Sequence, residues 1–113
     1  MVEKRVSEII SFFEDKLRES GLNISQVVLF GSAYRGEMTN NSDLDIAVVS
    51  DDFRGKTIFE RARIAGMAVW ETTKKYKVAL DVVKLTIDEF ENETRMVASY
   101  VKGGGEKYSS NNL

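Results

Sequence analysis

There is no cysteine in these 113 residues, no histidine and no proline. Without cysteine the chain has no disulfide, no thiolate nucleophile and no zinc–thiolate site. Without histidine it loses the imidazole general base, the Ser-His-Asp triad and most transition-metal sites in one step. The lack of proline bears little on function. Neither sign of charge is in large excess. Lys and Arg number 16 against 18 Asp and Glu, a formal net charge of −2, which argues against strong nucleic-acid binding through bulk electrostatics. No apolar run reaches the ~20 residues of a membrane span, and the N-terminus has no signal-peptide core. The sequence therefore reads as cytoplasmic. Whatever chemistry the chain performs must come from carboxylates, hydroxyls, backbone amides, Lys and Arg. Ligation by oxygen alone suits a hard cation, magnesium or manganese.

What is present fits one soluble globular domain, since 42% of residues are apolar and 30% charged. The domain is expected over residues 1–105. A polar tail over 106–113 is then either disordered or a short edge strand at 107–109. Apolar residues at Val2, Val6, Ile9, Ile10, Phe13 and Leu17 step by three and four, predicting a helix over 2–19 that stops near Gly21. Residues 27–30 read as a central strand. Residues 32–36 read as about one helical turn starting at Ser32, and 38–42 as a loop. Residues 43–50 alternate as a second strand, followed by a charged turn at 51–56. Ile58, Ala62, Ala65, Val69, Thr72 and Tyr76 predict a long helix over 57–77. Gly66 inside it costs about 1 kcal/mol against alanine, which close backbone packing would explain. Residues 78–85 give a third strand, and Thr86 with Glu89 form a capping box opening a helix that runs to 100 or 102. The order α-β-(turn)-β-α-β-α implies an α/β (α+β) fold, a small mixed β-sheet with helices packed on one face.

Three aspartates stand out inside apolar strands, where aspartate is disfavoured and costly to bury unpaired. Asp43 and Asp45 lie two apart at the head of the second strand, so both carboxylates project from one face, roughly 7 Å apart at Cβ. Asp81 sits mid-run among Ala79, Leu80, Val82 and Val83. If the third strand lies beside the second, Asp81 completes a cluster whose natural counter-charge is a metal ion. Gly31 and Ser32, at the end of the first strand, supply the other half. A glycine there lets a phosphate approach the backbone, and free amides with the Ser32 hydroxyl point at the anion. Metal on one side and amides on the other make a cradle for a triphosphate. The reaction implied is in-line attack on its α-phosphorus, with one ion activating the acceptor oxygen and a second steadying pyrophosphate. With no histidine available, Asp81 is the default base for the acceptor proton.

The pattern G-S-x10-D-x-D followed by a lone Asp in a later strand resembles the nucleotidyltransferases of the DNA polymerase β superfamily. Gly31-Ser32-Ala33-Tyr34-Arg35-Gly36-Glu37 and Ser42-Asp43-Leu44-Asp45 are similar to its minimal branch, the MNT-domain proteins. The resemblance covers roughly residues 5–105. It implies that Gly31 and Ser32 bind a nucleoside triphosphate, with ATP as substrate, and that Asp43, Asp45 and Asp81 bind Mg2+ (or Mn2+) and are catalytic. It also implies a small helical HEPN-type protein as partner. In such toxin–antitoxin pairs the MNT protein is the antitoxin, complexing and adenylylating the HEPN protein. A homo-oligomer is the other way to supply the acceptor surface that so short a chain lacks. The rival class of function is a non-catalytic antitoxin or regulatory subunit that neutralises its partner by complex formation.

Simpler explanations stand beside these. Asn40-Asn41-Ser42-Asp43 is good turn chemistry, which accounts for Asp43 but not for Asp45. Gly31-Ser32 would serve as a strand end and helix cap, and Asp81 as a water-facing edge residue. Trp70, Tyr76 and Phe12-Phe13 read as core or protein contact, and Arg54, Lys56, Arg61 and Arg63 as solvated faces.

Overall fold

The computed structural model describes residues 4–30 and 43–92, together with the backbone of 106–108. The first helix, α1 (Lys4–Glu19), buries Val6, Ile9, Ile10, Phe13 and Leu17 on one stripe. It ends where Gly21 turns to φ +92°. There the Gly21 amide donates to the Arg18 carbonyl at 2.9 Å and the Leu22 amide to Leu17 at 3.2 Å, bonds that satisfy carbonyls the helix leaves open. One acid intrudes on the stripe. Glu14 is buried and takes a 2.9 Å ion pair from Arg18 one turn on, which offsets its desolvation.

Four strands follow: β1 (Gln26–Phe30), β2 (Leu44–Val49), β3 (Leu80–Leu85) and β4 (Glu106–Tyr108), in the spatial order β3-β2-β1-β4. β1 runs antiparallel to both β2 and β4, while β2 and β3 are parallel. A parallel pair needs a crossover. It is provided by a 3-10 turn at Asp51–Phe53 and the helix α2 (Ile58–Tyr76). Thr57 and Glu60 cap α2 reciprocally, and Lys77 closes it in the left-handed conformation at φ 56°, donating to the Thr73 carbonyl at 2.8 Å. A further helix, α3 (Ile87–Asn92), opens with the Thr86–Glu89 capping box, its two bonds 2.9 and 3.1 Å long. The expected continuation of that helix beyond residue 92, the turn at 32–36 and the loop at 38–42 lie outside the described residues, as does Val2.

Alternation along the strands divides the sheet into two faces. Val27, Leu29, Leu44, Ile46 and Val48 pack with Phe13, Leu17, Phe53, Ala65 and Ala68 into the main core under α1 and α2. On the other face Val28, Phe30, Ala47, Val49 and Leu85 form a smaller cluster closed by Phe90 of α3.

The long helix turns its small residues inward and its large ones outward. Ala65, Ala68 and Thr72 are buried, whereas Ile58, Phe59, Met67 and Trp70 are 58 to 80% exposed. Trp70 is thus not core. Beyond its own helix backbone, a Cβ built on Gly66 would meet no atom of the described residues within 4 Å, so packing among them does not account for the glycine.

The outer edge of β3 is guarded. The Arg61 guanidinium donates to the Lys84 carbonyl at 2.8 Å, and the Lys84 ammonium donates to the Val82 carbonyl at 2.8 Å. Capped carbonyls make a poor template for another strand. Arg61 is consequently not a solvated side chain. It also grips Glu89 through both nitrogens, at 2.8 and 3.2 Å, and so fastens α2 to β3 and α3.

Candidate active site

The candidate site gathers where β1 ends and β2 and β3 begin. Phe30, the last residue of β1, sits opposite Asp45 of β2, and Asp45 is in turn in register with Asp81 of β3. Partners in adjacent strands project from the same face with backbones about 4.8 Å apart. The strand neighbour that Asp81 requires is therefore in place. Asp43 lies just ahead of β2, two residues before Asp45. The next residue is anchored there, the Leu44 amide donating to the Ala79 carbonyl at 2.9 Å.

Burial grades across the group. Leu44, Ile46, Ala47, Val48 and Val49 are all buried, Asp45 among them is half-buried, and Asp43 and Asp81 are exposed. The carboxylates thus sit at a wet rim of an otherwise dry strand, where a charged ligand can reach them from solvent. Among the described residues no three Asp or Glu side chains converge closely enough to hold a metal ion by themselves. The backbone brings Asp45 and Asp81 side by side, but three carboxylates are not drawn to a common point. That donor set still fits magnesium, which is held by one or two carboxylates and takes its remaining oxygens from water and substrate phosphates.

Gly31 and Ser32 lie outside the described residues. Gly31 is one peptide bond beyond Phe30, the residue opposite Asp45.

Two basic residues lie beside β3 on the side facing α2, opposite Asp81; the sequence reading passes over one and takes the other for a solvated face. Lys84, on β3, is half-buried; burial pushes its ammonium below the ordinary lysine range, against the upward pull of Asp81 and with the aid of Arg61. Its ammonium is held on the Val82 carbonyl. Arg61 is 12% exposed at its side chain, and it did leave a signal. Its spacing to Ala65, Ala68 and Thr72 sets it on the buried face of α2.

The sequence pattern of the nucleotidyltransferase domain family matches residues 6–108. The chain belongs to that family. This nucleotidyltransferase domain is also 39% identical over 49 residues to a protein of Methanocaldococcus jannaschii whose name provisionally assigns it as a protein adenylyltransferase. The match covers 43% of this chain and 46% of that relative, so the chain spans less than half the length of the relative it matches. Two solved structures share the fold. One is a toxin–antitoxin with AMP-PNP, 20% identical, with a TM-score of 0.61 over 88% of this chain and 73% of the other. The second is provisionally described as a minimal nucleotidyltransferase, 20% identical, with a TM-score of 0.61 over 94% and 95%. The polymerase β-like architecture that the family resemblance implied is therefore the one the chain adopts. No helix among the described residues is long and apolar enough to cross a membrane.

Proposed function

We propose that this nucleotidyltransferase domain moves a nucleoside monophosphate, AMP from ATP, to a hydroxyl on a protein partner, and that it depends on magnesium. The partner is a HEPN-type toxin, with this chain as the antitoxin of the pair, acting in the cytoplasm as a single catalytic domain over residues 1–105. The observation that carries the reading is the Asp45–Asp81 register, one strand over from the end of β1 that leads into Gly31-Ser32. A relative provisionally assigned as a protein adenylyltransferase and a structural neighbour described as a toxin–antitoxin with AMP-PNP support it.

In this reading Asp43, Asp45 and Asp81 hold the cation, and Gly31 and Ser32 hold the triphosphate through backbone amides and the serine hydroxyl. The cation, when bound, supplies charge stabilisation at phosphorus and lowers the pKa of the attacking oxygen. Asp81, exposed at the rim, receives the acceptor proton. The acceptor oxygen bonds to the α-phosphorus as the bond to pyrophosphate breaks.

Incubation with labelled ATP, magnesium and the protein encoded beside it tests the proposal. Label should appear on the partner and disappear in the Asp43→Ala/Asp45→Ala variant. The second reading, an antitoxin acting by binding alone, draws on the three carboxylates not converging among the described residues. It predicts no label, with neutralisation intact in the same double variant.

A further inference from the structure

The outward face of α2 carries a pattern that the transfer chemistry does not use. Phe59, Arg63, Gly66, Met67, Trp70 and Lys74 all fall within about 100° of helix arc, and all six are exposed. The apolar members are large, with Phe59 80%, Met67 62% and Trp70 58% exposed. A helix that hides alanines and displays phenylalanine, methionine and tryptophan has its bulk on the wrong side for a monomer. Gly66 compounds the anomaly. It weakens the helix, yet beyond its own helix backbone no atom of the described residues stands within 4 Å of where its side chain would be.

The stripe is mirror-related about the Gly66–Met67 peptide bond. Turned end for end, Phe59 exchanges with Lys74, Arg63 with Trp70, and Gly66 with Met67. Two copies of α2 packed antiparallel about that point would therefore set unlike residues level with each other along the stripe. The two Gly66 residues then face each other on one flank, letting the backbones approach, and the two Met67 side chains meet on the other. Each aromatic ring meets a cation: Arg63 lies over the partner's Trp70, and Lys74 over the partner's Phe59. Trp70 already takes its own Lys74, whose ammonium is 5.7 Å from the ring centroid. On the flank of the stripe, Glu71 lies within one residue of the level of the partner's Arg63, so opposite charges come near each other at the rim. Edge pairing through β3 is not the alternative route to association, because Arg61 and Lys84 cap its outward carbonyls.

We infer that α2 is a homodimer interface, with a second copy of this chain seated antiparallel on the Phe59–Lys74 stripe across a twofold axis at Gly66–Met67. A twofold contact of this kind is self-complementary by definition. It stands apart from the transfer reaction and holds whether or not the domain turns over nucleotide.

Sedimentation equilibrium of the purified chain, free of any other protein, is the test. The wild type should show a dimer that dissociates on dilution. Trp70→Glu and Gly66→Leu should each weaken association by at least about thirtyfold, the loss expected at the centre of an interface. Both should keep the helical circular dichroism of the wild type, since these side chains face solvent in the monomer. The absence of cysteine allows a second measurement. Gly66→Cys should cross-link through a short bis-maleimide. Phe59→Cys should not, because the antiparallel arrangement sets the two Phe59 positions about 22 Å apart along the axis. A wild type that stays monomeric at every concentration overturns the inference, and leaves the stripe to a different protein. A dimer unaffected by both substitutions overturns it too, as does equal cross-linking at 59 and 66.

Discussion

The two faces of the sheet are made from alternate residues of the same strands, yet they are built to opposite ends. Toward α1 and α2 project Leu29, Leu44, Ile46 and Val48, each with no exposed surface, in one continuous core with Phe13 and Leu17. Toward the other side project Asp45 and Asp81, in register, beside a smaller cluster ending at Phe90. Two like charges side by side across a strand pair oppose folding. The first face therefore holds the fold together, and the second spends some of that stability on a charged rim. A single backbone serves both because residues one apart in a strand point to opposite faces.

Substitutions one residue apart break or sharpen this contrast. The largest expected effect is on activity. Asp45→Asn should lower nucleotidyl transfer on the order of a thousandfold, the equivalent of several kcal/mol of charge stabilisation, measured as initial rates of label transfer. Its neighbour Ile46→Ala should act the other way, costing about 2–5 kcal/mol in denaturant unfolding because it opens a hole in the main core. A cost below about 1 kcal/mol would dissolve the distinction between the faces.

The fastening between elements should give a smaller effect. Arg61→Met leaves the Lys84 carbonyl without its donor and takes the counter-charge from Glu89, which keeps its bond from the Thr86 amide, with an expected loss of about 1–3 kcal/mol and faster hydrogen exchange in α3 than in α1. Asp81→Asn should move stability by no more than about 0.5 kcal/mol, since Asp81 is exposed, while still impairing transfer.

The least effect concerns Lys84. Burial lowers its pKa in the folded state, so between that value and the ordinary lysine range the unfolded chain binds more protons than the native one. Stability contributed by this group therefore rises with pH across that alkaline window. Lys84→Met should flatten that rise in urea titrations at stepped pH. An unchanged slope would show that the lysine is as well solvated folded as unfolded.

Much of this was legible in the chain itself, and what was not has identifiable causes. The period of the apolar residues marked α1, α2 and the three longer strands to within a few positions, because burial of one stripe or one face is a local property. The aspartates were conspicuous for the same reason, being charged residues in otherwise dry strands. Arg61 was misjudged because a guanidinium on a buried stripe is tolerable only through partners distant in sequence, Glu89 and the Lys84 carbonyl. Trp70 was left between core and protein contact because periodicity locates a helix's faces but not which one meets the sheet, and α2 has apolar residues on both.

By itself, then, the sequence determined the kind of chemistry open to this protein. Without histidine or cysteine only oxygen ligands and backbone amides remain, and the spacing of Gly31-Ser32, Asp43 and Asp45 is what the proposed phosphate and metal site rests on. It also determined the elements, since each is an amphipathic segment a few turns or a few residues long. Only the tertiary structure decided which strands are neighbours. Asp81 stands beside Asp45 because α2 carries the chain back over the sheet so that β3 pairs in parallel with β2. Nothing within either strand encodes that pairing. It follows from burying α2's alanine face against Leu44, Ile46 and Val48, a choice made by the whole core at once.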